Sequence, residues 1–328
     1  MPGVAAEVSQ MIQFYPNLAI QYHPEEFVAD KILAKAVVST YAGSYTQFSS
    51  ATAFQVWDDT MGQDGRANEI TWNTTQASYL AQAYSNTEHI DYDLIARNPV
   101  AVNWPLLKMN VLARNLKLQK ELRTIALVKQ GTGFSTTVNT AQGFCGYNWN
   151  NALATPIKDV QVLRAQLSMP PNFVVMDENT FILLQNHPNV LGQRPVNRAG
   201  SVDPAELAAL FHVKEVIVSE LKHNVSGNRG RAQTLAYTWA GTFFMGYRCP
   251  DDIMSTDSIT WGAQFVVDNQ EIEGPRISQM MASQEGWVVR AWEDPERGVA
   301  GSMMLNAAHK YALASVAPDL GAYLNVIS

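Results

Sequence analysis

Residues 101–129, AVNWPLLKMNVLARNLKLQKELRTIALVK, give the longest helix signal in the chain. The stretch contains no glycine, and Pro105 stands where the first turn of a helix tolerates proline. Its apolar residues recur at helical spacing and predict one buried face, made of Leu107, Val111, Leu118, Leu122 and Ile125. At 1.5 Å per residue such a helix would be roughly 35–40 Å long, enough to organise a whole domain.

The same helix is the basic part of an acidic chain. The whole sequence has 23 Lys and Arg against 30 Asp and Glu, a net charge of -7. In the helix the balance is reversed, because Glu121 is the one carboxylate among these cations: Lys108, Arg114, Lys117, Lys120, Arg123 and Lys129. Such a charge run is either a solvated face, a set of ion pairs or a surface for an anionic partner.

The segment before the helix divides into two parts. Residues 1–44 contain one short helix candidate, Pro24–Ala36, in which Phe27, Ile32 and Leu33 can share a face. This is too little apolar surface for a core of its own. We therefore predict an arm that lies on another surface.

Residues 45–90 are predicted to form a long β-hairpin. Phe54 and Val56 alternate with polar residues before the turn-rich TMGQDGRAN, and Ile70 and Trp72 alternate after it. A two-stranded hairpin is marginally stable in water, so one this long needs a supporting surface. That surface belongs either to the same chain or to a neighbouring one.

After the long helix, helix and strand signals alternate and indicate a mixed α/β region. Helices are predicted to open at Thr155-Pro156, Asp177 and Asp203-Pro204. Between and after them lie strand candidates, in this order: FVVM, VKEVIVSEL, TLAYTWAGTFFMGY, ITWGAQFVV, GWVVRAWED and HKYALASV.

Composition indicates extensive protein contacts. Charged residues make up 16% of the chain, where roughly 25% is typical of soluble domains. A surface rich in uncharged polar and aromatic groups favours an obligate oligomer; a monomer with a weakly charged surface is the alternative. Neither a signal peptide nor an apolar run long enough to span a bilayer is present, so no membrane association is expected.

Signals for catalysis are poor, and no cofactor is predicted. Cys145 and Cys249 form no CxxC pair, and the sequence has neither GxSxG nor HExxH. The carboxylate pairs Asp91/Asp93 and Asp251/Asp252 have no histidine close in sequence. The chain is therefore not expected to be an enzyme or to bind a metal.

The order of arm, hairpin, long helix, mixed region and closing strands resembles the tailed-bacteriophage major capsid proteins of the Hong Kong 97-like fold. The resemblance covers nearly the whole chain. The phrases that carry it are YPNLAIQYHPEEFVADKIL, DGRANEITW, LKLQKELRTIALV, PPNFVVMDENTFILLQNHPNV, DPAELAALFHVKEVIV and ITWGAQFVV. It implies an α+β capsid fold with an N-terminal arm, an extended β-hairpin loop, a peripheral domain with a long spine helix, and a mixed α/β axial domain.

The resemblance also implies boundaries and a role. The implied segments are the arm at 1–44, the extended loop at 45–90, the peripheral domain at 91–150, the axial domain at 151–275, and the return through the peripheral domain with C-terminal strands at 276–328. The implied role is self-assembly into hexamers and pentamers of an icosahedral virion shell that encloses double-stranded DNA. Assembly would take place in the cytoplasm of the bacterial host.

Contacts between subunits are expected along the loop. Aromatic residues on a polar hairpin concentrate buried area, and the candidates are Phe54, Trp57, Trp72 and Tyr79, with Arg66 at the tip pairing with a neighbour's carboxylate. Alternatively, the aromatic residues pack within their own hairpin and Arg66 is solvated.

The basic helix suggests an inner surface that offsets packaged phosphate, because nonspecific affinity for DNA comes mainly from Lys and Arg. The DNA-facing candidates are Lys117, Lys120 and Arg123. Ion pairing of these cations with Asp or Glu is the alternative.

Other partners follow from the resemblance. The arm begins almost at Met1, so a separate scaffolding protein is expected, together with a portal and room for a decoration protein. Residues 45–90 contain no lysine, so no covalent crosslink through a loop lysine is expected. Two alternatives stay open: an encapsulin-type shell, which shares the fold but holds an enzyme cargo, and a soluble α/β enzyme.

Overall fold

This computed structural model describes the following residues: 27–47, 56, 59–60, 75–93, 104–138, 143–194, 200–226, 234–251, 259–268, 280–284 and 286–327. Within these ranges the chain forms six α-helices: α1 (Ala29–Ile32), α2 (Trp104–Gly131), α3 (Pro156–Ala165), α4 (Glu178–Asn186), α5 (Pro188–Leu191) and α6 (Pro204–Phe211). A 3-10 turn covers Pro318–Leu320.

The described residues also form fifteen strands. They are β1 (Ala34–Val38), β2 (Ala42–Gln47), β3 (Thr75–Leu80), β4 (Gln82–Asp91), β5 (Phe134–Thr137), β6 (Phe173–Asp177), β7 (Glu215–Ser219), β8 (Lys222–Asn224), β9 (Leu235–Tyr237), β10 (Thr242–Gly246), β11 (Gly262–Val267), β12 (Met280–Gln284), β13 (Trp287–Asp294), β14 (Ser302–Ser315) and β15 (Gly321–Asn325).

The predicted helices are present, with local chemistry that explains where they begin. The long helix predicted over 101–129 is confirmed as α2, and α3, α4 and α6 begin at the three predicted positions. At the start of α4 the Asp177 carboxylate accepts a hydrogen bond from Thr180 N at 3.3 Å, which satisfies one of the N–H groups that a helix leaves without an internal partner.

The predicted buried face of α2 is wrong in its first half. Leu107 and Val111 are 46% and 54% exposed. The buried side chains of this helix are Met109, Leu112, Ala113, Leu116, Lys117, Lys120, Glu121, Thr124, Ile125 and Val128. Apolar spacing contains no information about the ion pair of Lys120 with Asp30, which is part of this buried face.

The first sheet supports α2. Its order is β1-β11-β14-β13-β12, and β4 pairs with β14 as well. Strand β1 runs parallel to β11, and the other pairings are antiparallel. Helix α2 packs on β4 and β14, over a core that includes Ile90, Met109, Leu112, Val289 and Leu305.

The second sheet has the order β5-β15-β10-β6-β7. Strand β6 (FVVMD) is buried along its whole length, as expected of a strand covered on both faces. Its core includes Trp149, Leu163, Met176, Leu184 and Phe243. Strands β5 and β15 lie in this sheet although their residues fall outside the predicted 151–275, so the sheets do not follow the predicted sequence boundaries.

The described end of the predicted arm, from residue 27 to residue 44, is not a free arm. Phe27, Ile32 and Leu33 are 6%, 0% and 2% exposed, and the strand that follows them, β1, is part of the first sheet. In the described part of the predicted helix Pro24–Ala36, the helix is α1, and Ala34 already begins β1. This segment therefore completes the core of its own chain.

The base of the predicted hairpin is present. Strands β2 and β3 pair antiparallel, from Ala42 opposite Leu80 to Gln47 opposite Thr75. Of the alternating residues predicted in the hairpin, Phe54, Ile70 and Trp72 lie outside the described residues, and Val56 is 94% exposed.

Candidate functional site

The hairpin base rests on the first sheet of the same chain. The Tyr79 ring is stacked on Phe265, with centroids 4.5 Å apart and 10° between the planes, and Tyr45 lies 5.2 Å from the same ring. The Tyr45 hydroxyl donates to Ser315 O at 3.3 Å. Two tyrosines thus hold strands β2 and β3 on the first sheet.

Tyr79 packs on its own chain, and its predicted contact with another subunit stays a prediction. One face of its ring is occupied by Phe265 of the same chain, and its hydroxyl lies 3.3 Å from Thr40 Oγ1. Tyr79 therefore anchors the hairpin internally. The other contact candidates, Phe54, Trp57, Arg66 and Trp72, lie outside the described residues and stay predictions.

Two of the three predicted DNA-facing side chains are buried. Lys117 and Lys120 are 5% and 3% exposed. The Lys120 ammonium is hydrogen-bonded to the Asp30 carboxylate, and Lys117 Nζ lies 5.9 Å from the centre of the Trp287 ring. The prediction that these lysines face DNA is wrong for this conformation, because their charges lie between α2, α1 and the first sheet.

The pKa values reflect this burial. Burial alone would raise the pKa of Asp30, but the Lys120 ammonium together with the nearby Lys117 and His309 holds that pKa well below the ordinary range. Burial lowers the pKa of Lys117 to about 8, although Asp30 partly opposes the shift. An ion pair in this environment needs both members, since removing one leaves a buried charge uncompensated.

Arg123, the third candidate, is half-buried and lies among aromatic rings. Its guanidinium carbon is 3.7 Å from the centre of the Tyr84 ring, and its Nη1 donates to the Tyr311 hydroxyl at 2.8 Å. Burial raises the pKa of Tyr311 to about 12, with Arg123 opposing the shift. Arg123 therefore packs as a planar group against tyrosines, in the way arginine suits better than lysine.

His309, in strand β14, packs against the aromatic rings of Trp287 and Tyr311. It is stacked on Trp287, with centroids 4.3 Å apart and 6° between the planes, and lies 4.9 Å from Tyr311. Burial and the nearby Lys120 lower its pKa well below the usual value. The imidazole is therefore neutral in the folded chain at neutral pH.

Glu121 joins three parts of the molecule at one buried carboxylate. Its Oε2 accepts from Ala29 N at 2.8 Å and from Val28 N at 3.2 Å, at the first turn of α1. Its Oε1 accepts from Trp239 Nε1 at 2.6 Å, in the turn between β9 and β10. Burial raises the pKa of Glu121 to about 7, and the three N–H donors partly oppose that shift.

Sequence reasoning missed this junction. Glu121 has the unusual position of a lone carboxylate in a basic helix, and that was the one available signal. Its partners Val28 and Trp239 are 93 and 118 positions away along the chain. No local pattern connects residues at such separations.

Neither a metal centre nor a membrane-spanning segment is found in the part of the chain that the structure describes. The His, Cys, Asp and Glu side chains described there form no group of three that could bind a metal ion. Among the same residues, no helix has the length and apolar character needed to cross a bilayer.

Comparison with known proteins gives a fold but no sequence family. Neither a family model nor a curated protein matches the sequence. Among solved structures, a phage-related protein from Bordetella bronchiseptica RB50 aligns over 96% of this chain and 95% of its own, with a TM-score of 0.68 and 14% identity. The capsid of cyanophage P-SCSP1u aligns over 90% and 86%, with a TM-score of 0.52 and 12% identity.

A third similar structure is the holo-SrpI encapsulin complex from Synechococcus elongatus PCC 7942. It aligns over 94% of this chain and 89% of its own, with a TM-score of 0.53 and 11% identity. The chain thus has the fold that phage capsid proteins share with encapsulins. The α+β, Hong Kong 97-like fold expected from the sequence is confirmed.

Proposed function

We propose that this chain is the major capsid protein of a tailed double-stranded DNA bacteriophage and assembles into hexamers and pentamers of an icosahedral shell. The observation that carries the proposal is the likeness to the phage-related protein, which extends over nearly the whole of both chains. A role built on a short shared motif would not require 96% of this chain to align with 95% of the other.

The architecture supports a shell subunit in physical terms. Permanent assemblies commonly bury more than about 2,000 Å² at an interface, and a long loop adds such area without enlarging the core. Strands β2 and β3 hold the two ends of residues 48–74 on a rigid base. Large apolar side chains are also exposed on the single chain, among them Leu80 at 65% and Val111 at 54%.

The first experiment is to express the full chain and size it by gel filtration and negative-stain electron microscopy over a range of concentrations. Closed shells or ring-shaped capsomers are expected. A species that stays monomeric at high concentration, with and without a scaffolding protein, contradicts the proposal and favours the soluble α/β enzyme.

An encapsulin-type compartment is the second candidate, favoured by the alignment to the SrpI complex. The two roles differ in what the particles enclose. Particles isolated from the native host should protect double-stranded DNA from nuclease if the chain is a virion protein. Particles that contain a co-purifying enzyme and no protected DNA support the compartment.

The partners expected from the resemblance form part of the same proposal. A separate scaffolding protein, a portal and a decoration protein would act with the shell, and nonspecific contact with DNA would involve residues other than the buried Lys117 and Lys120. The role requires neither a cofactor nor catalysis. Mass spectrometry of purified virions tests this partner set directly.

A further inference from the structure

A cleft lies where the hairpin base, α2 and β14 meet. Its volume is about 410 Å³, and its lining includes Leu80, Tyr84, Arg123, Leu127 and Tyr311. Leu80 at its edge is 65% exposed. Among the described residues that line it, Arg123 is the one charged side chain, and no carboxylate faces it.

The Arg123 guanidinium is fixed but not saturated. Tyr84 covers one face at 3.7 Å, and Tyr311 accepts from Nη1. The remaining N–H groups have no hydrogen-bond partner among the described residues. Because an arginine held in one orientation loses little entropy on pairing, the cleft presents a pre-oriented donor pair of the kind that binds a carboxylate through two hydrogen bonds.

We infer that this cleft receives an Asp or Glu side chain from a second copy of the chain, with an apolar neighbour of that residue packing on Leu80 and Leu127. The inference rests on the proposed shell function. It is supported by charge complementarity, since carboxylates outnumber cations in the sequence, 30 to 23, and the cleft has a cation without a carboxylate.

DNA is the less suitable occupant. Affinity for duplex DNA depends on several Lys and Arg side chains along the backbone, and the described lining of the cleft provides one. A single oriented guanidinium beside apolar side chains fits one carboxylate on a protein surface.

The test compares assembly of Arg123→Gln with wild type and one control. Arg114→Gln removes the same charge from an exposed position of α2 outside the cleft lining. Arg123→Gln should raise the concentration needed for assembly by about tenfold or more, and the control should assemble at close to the wild-type concentration.

A second measurement identifies the occupant. Leu80 is replaced by the photo-crosslinking residue p-benzoylphenylalanine in assembled particles, and Leu235, 61% exposed and outside the cleft lining, is the matched control position. Irradiation should link the photo-crosslinking residue at position 80 to a peptide of a second copy that contains Asp or Glu. Links to DNA, to a different protein or to no partner would overturn the inference.

The two proposals fail in distinguishable ways. If wild-type chain forms no shells under any condition, the proposed function fails. If wild type assembles, and Arg123→Gln assembles at the same concentration while remaining as stable as wild type, the inference about the cleft fails alone.

Discussion

Trp239 Nε1 donates a hydrogen bond of 2.6 Å to Glu121 Oε1 across 118 positions of sequence. Both side chains are fully buried. The same carboxylate accepts from the backbone of Val28 and Ala29. One residue of the long helix therefore holds the start of α1 and the turn before β10 together, and its protonation affects both contacts.

Glu121→Gln should change how stability depends on pH. The pKa of Glu121 is about 7 in the folded chain and about 4.3 in an unfolded one, so the folded chain binds the extra proton between these values. The contribution of Glu121 to the free energy of unfolding should therefore fall as pH rises from about 5 to about 7. The variant lacks this contribution, and its deficit relative to wild type should be about 2 kcal/mol smaller at pH 8 than at pH 5.

Urea unfolding at pH 5, 6, 7 and 8 measures this difference, and the exposed Glu220→Gln is the matched control. A deficit of Glu121→Gln that is the same at every pH would show that Glu121 does not titrate in this range.

The fold was largely predictable from local signals. The 101–129 helix has helical spacing and a tolerated proline, and Asp177 caps the helix that follows it, as expected. The buried side of the long helix was not predictable. Lys120 is buried because Asp30, 90 positions away, neutralises it, and apolar periodicity contains no information about such a pair.

The candidate site was predictable only in part. The base of the hairpin, at 42–47 and 75–80, lies within the region predicted to be extended except for residues 42–44, which belong to the predicted arm. The stack of Tyr79 on Phe265 depends on strand β11, far along the chain. An aromatic residue on a polar strand has the same sequence pattern whether it packs on its own chain or on a neighbour. The sequence alone therefore left both alternatives open.

His309→Phe should remove a loss of stability at acidic pH. The pKa of His309 is well below its usual value because of burial and nearby Lys120, with Lys117 and Lys35 adding to the shift and Asp30 opposing it. An unfolded chain binds a proton at this position below about pH 6.5, whereas the folded chain does not. The contribution of His309 to the free energy of unfolding should therefore fall as pH falls from 6.5 to 5, by about 1 kcal/mol per pH unit.

Phenylalanine keeps a ring that can stack on Trp287, so the stability of the variant relative to wild type should rise as pH falls over the same range. The exposed His212→Asn is the control and should follow wild type. Parallel curves for His309→Phe and wild type would contradict the assignment of a neutral, buried imidazole.

Asp30→Asn should destabilise the chain by about 3 kcal/mol, because it leaves the buried Lys120 ammonium without its counter-charge. Since the Asp30 side chain is 31% exposed, water can reach the site, and we expect the lower end of the cost of breaking a buried pair. Replacing both residues, Asp30→Asn with Lys120→Met, should recover most of the loss. Chemical denaturation of wild type, Asp30→Asn and the double variant measures the loss of stability and its recovery. Equal destabilisation by the single and double variants would contradict the pairing of Asp30 with Lys120.

Tyr79→Ala tests whether the hairpin base positions the loop for assembly. Loss of the stack on Phe265 should speed amide hydrogen exchange in strands β2 and β3 by about tenfold, since such aromatic pairs contribute about 1 kcal/mol beyond their buried area. Gly43→Ala should act in the same way, because a Cβ there would lie 2.7 Å from the Tyr79 hydroxyl oxygen and force the ring aside. Tyr79→Phe keeps the stack and is the matched control.

If a rigid base is what presents residues 48–74 to a neighbouring subunit, particle yield should fall for Tyr79→Ala and Gly43→Ala and stay near wild type for Tyr79→Phe. Normal yield in the two variants despite faster exchange would separate hairpin rigidity from assembly.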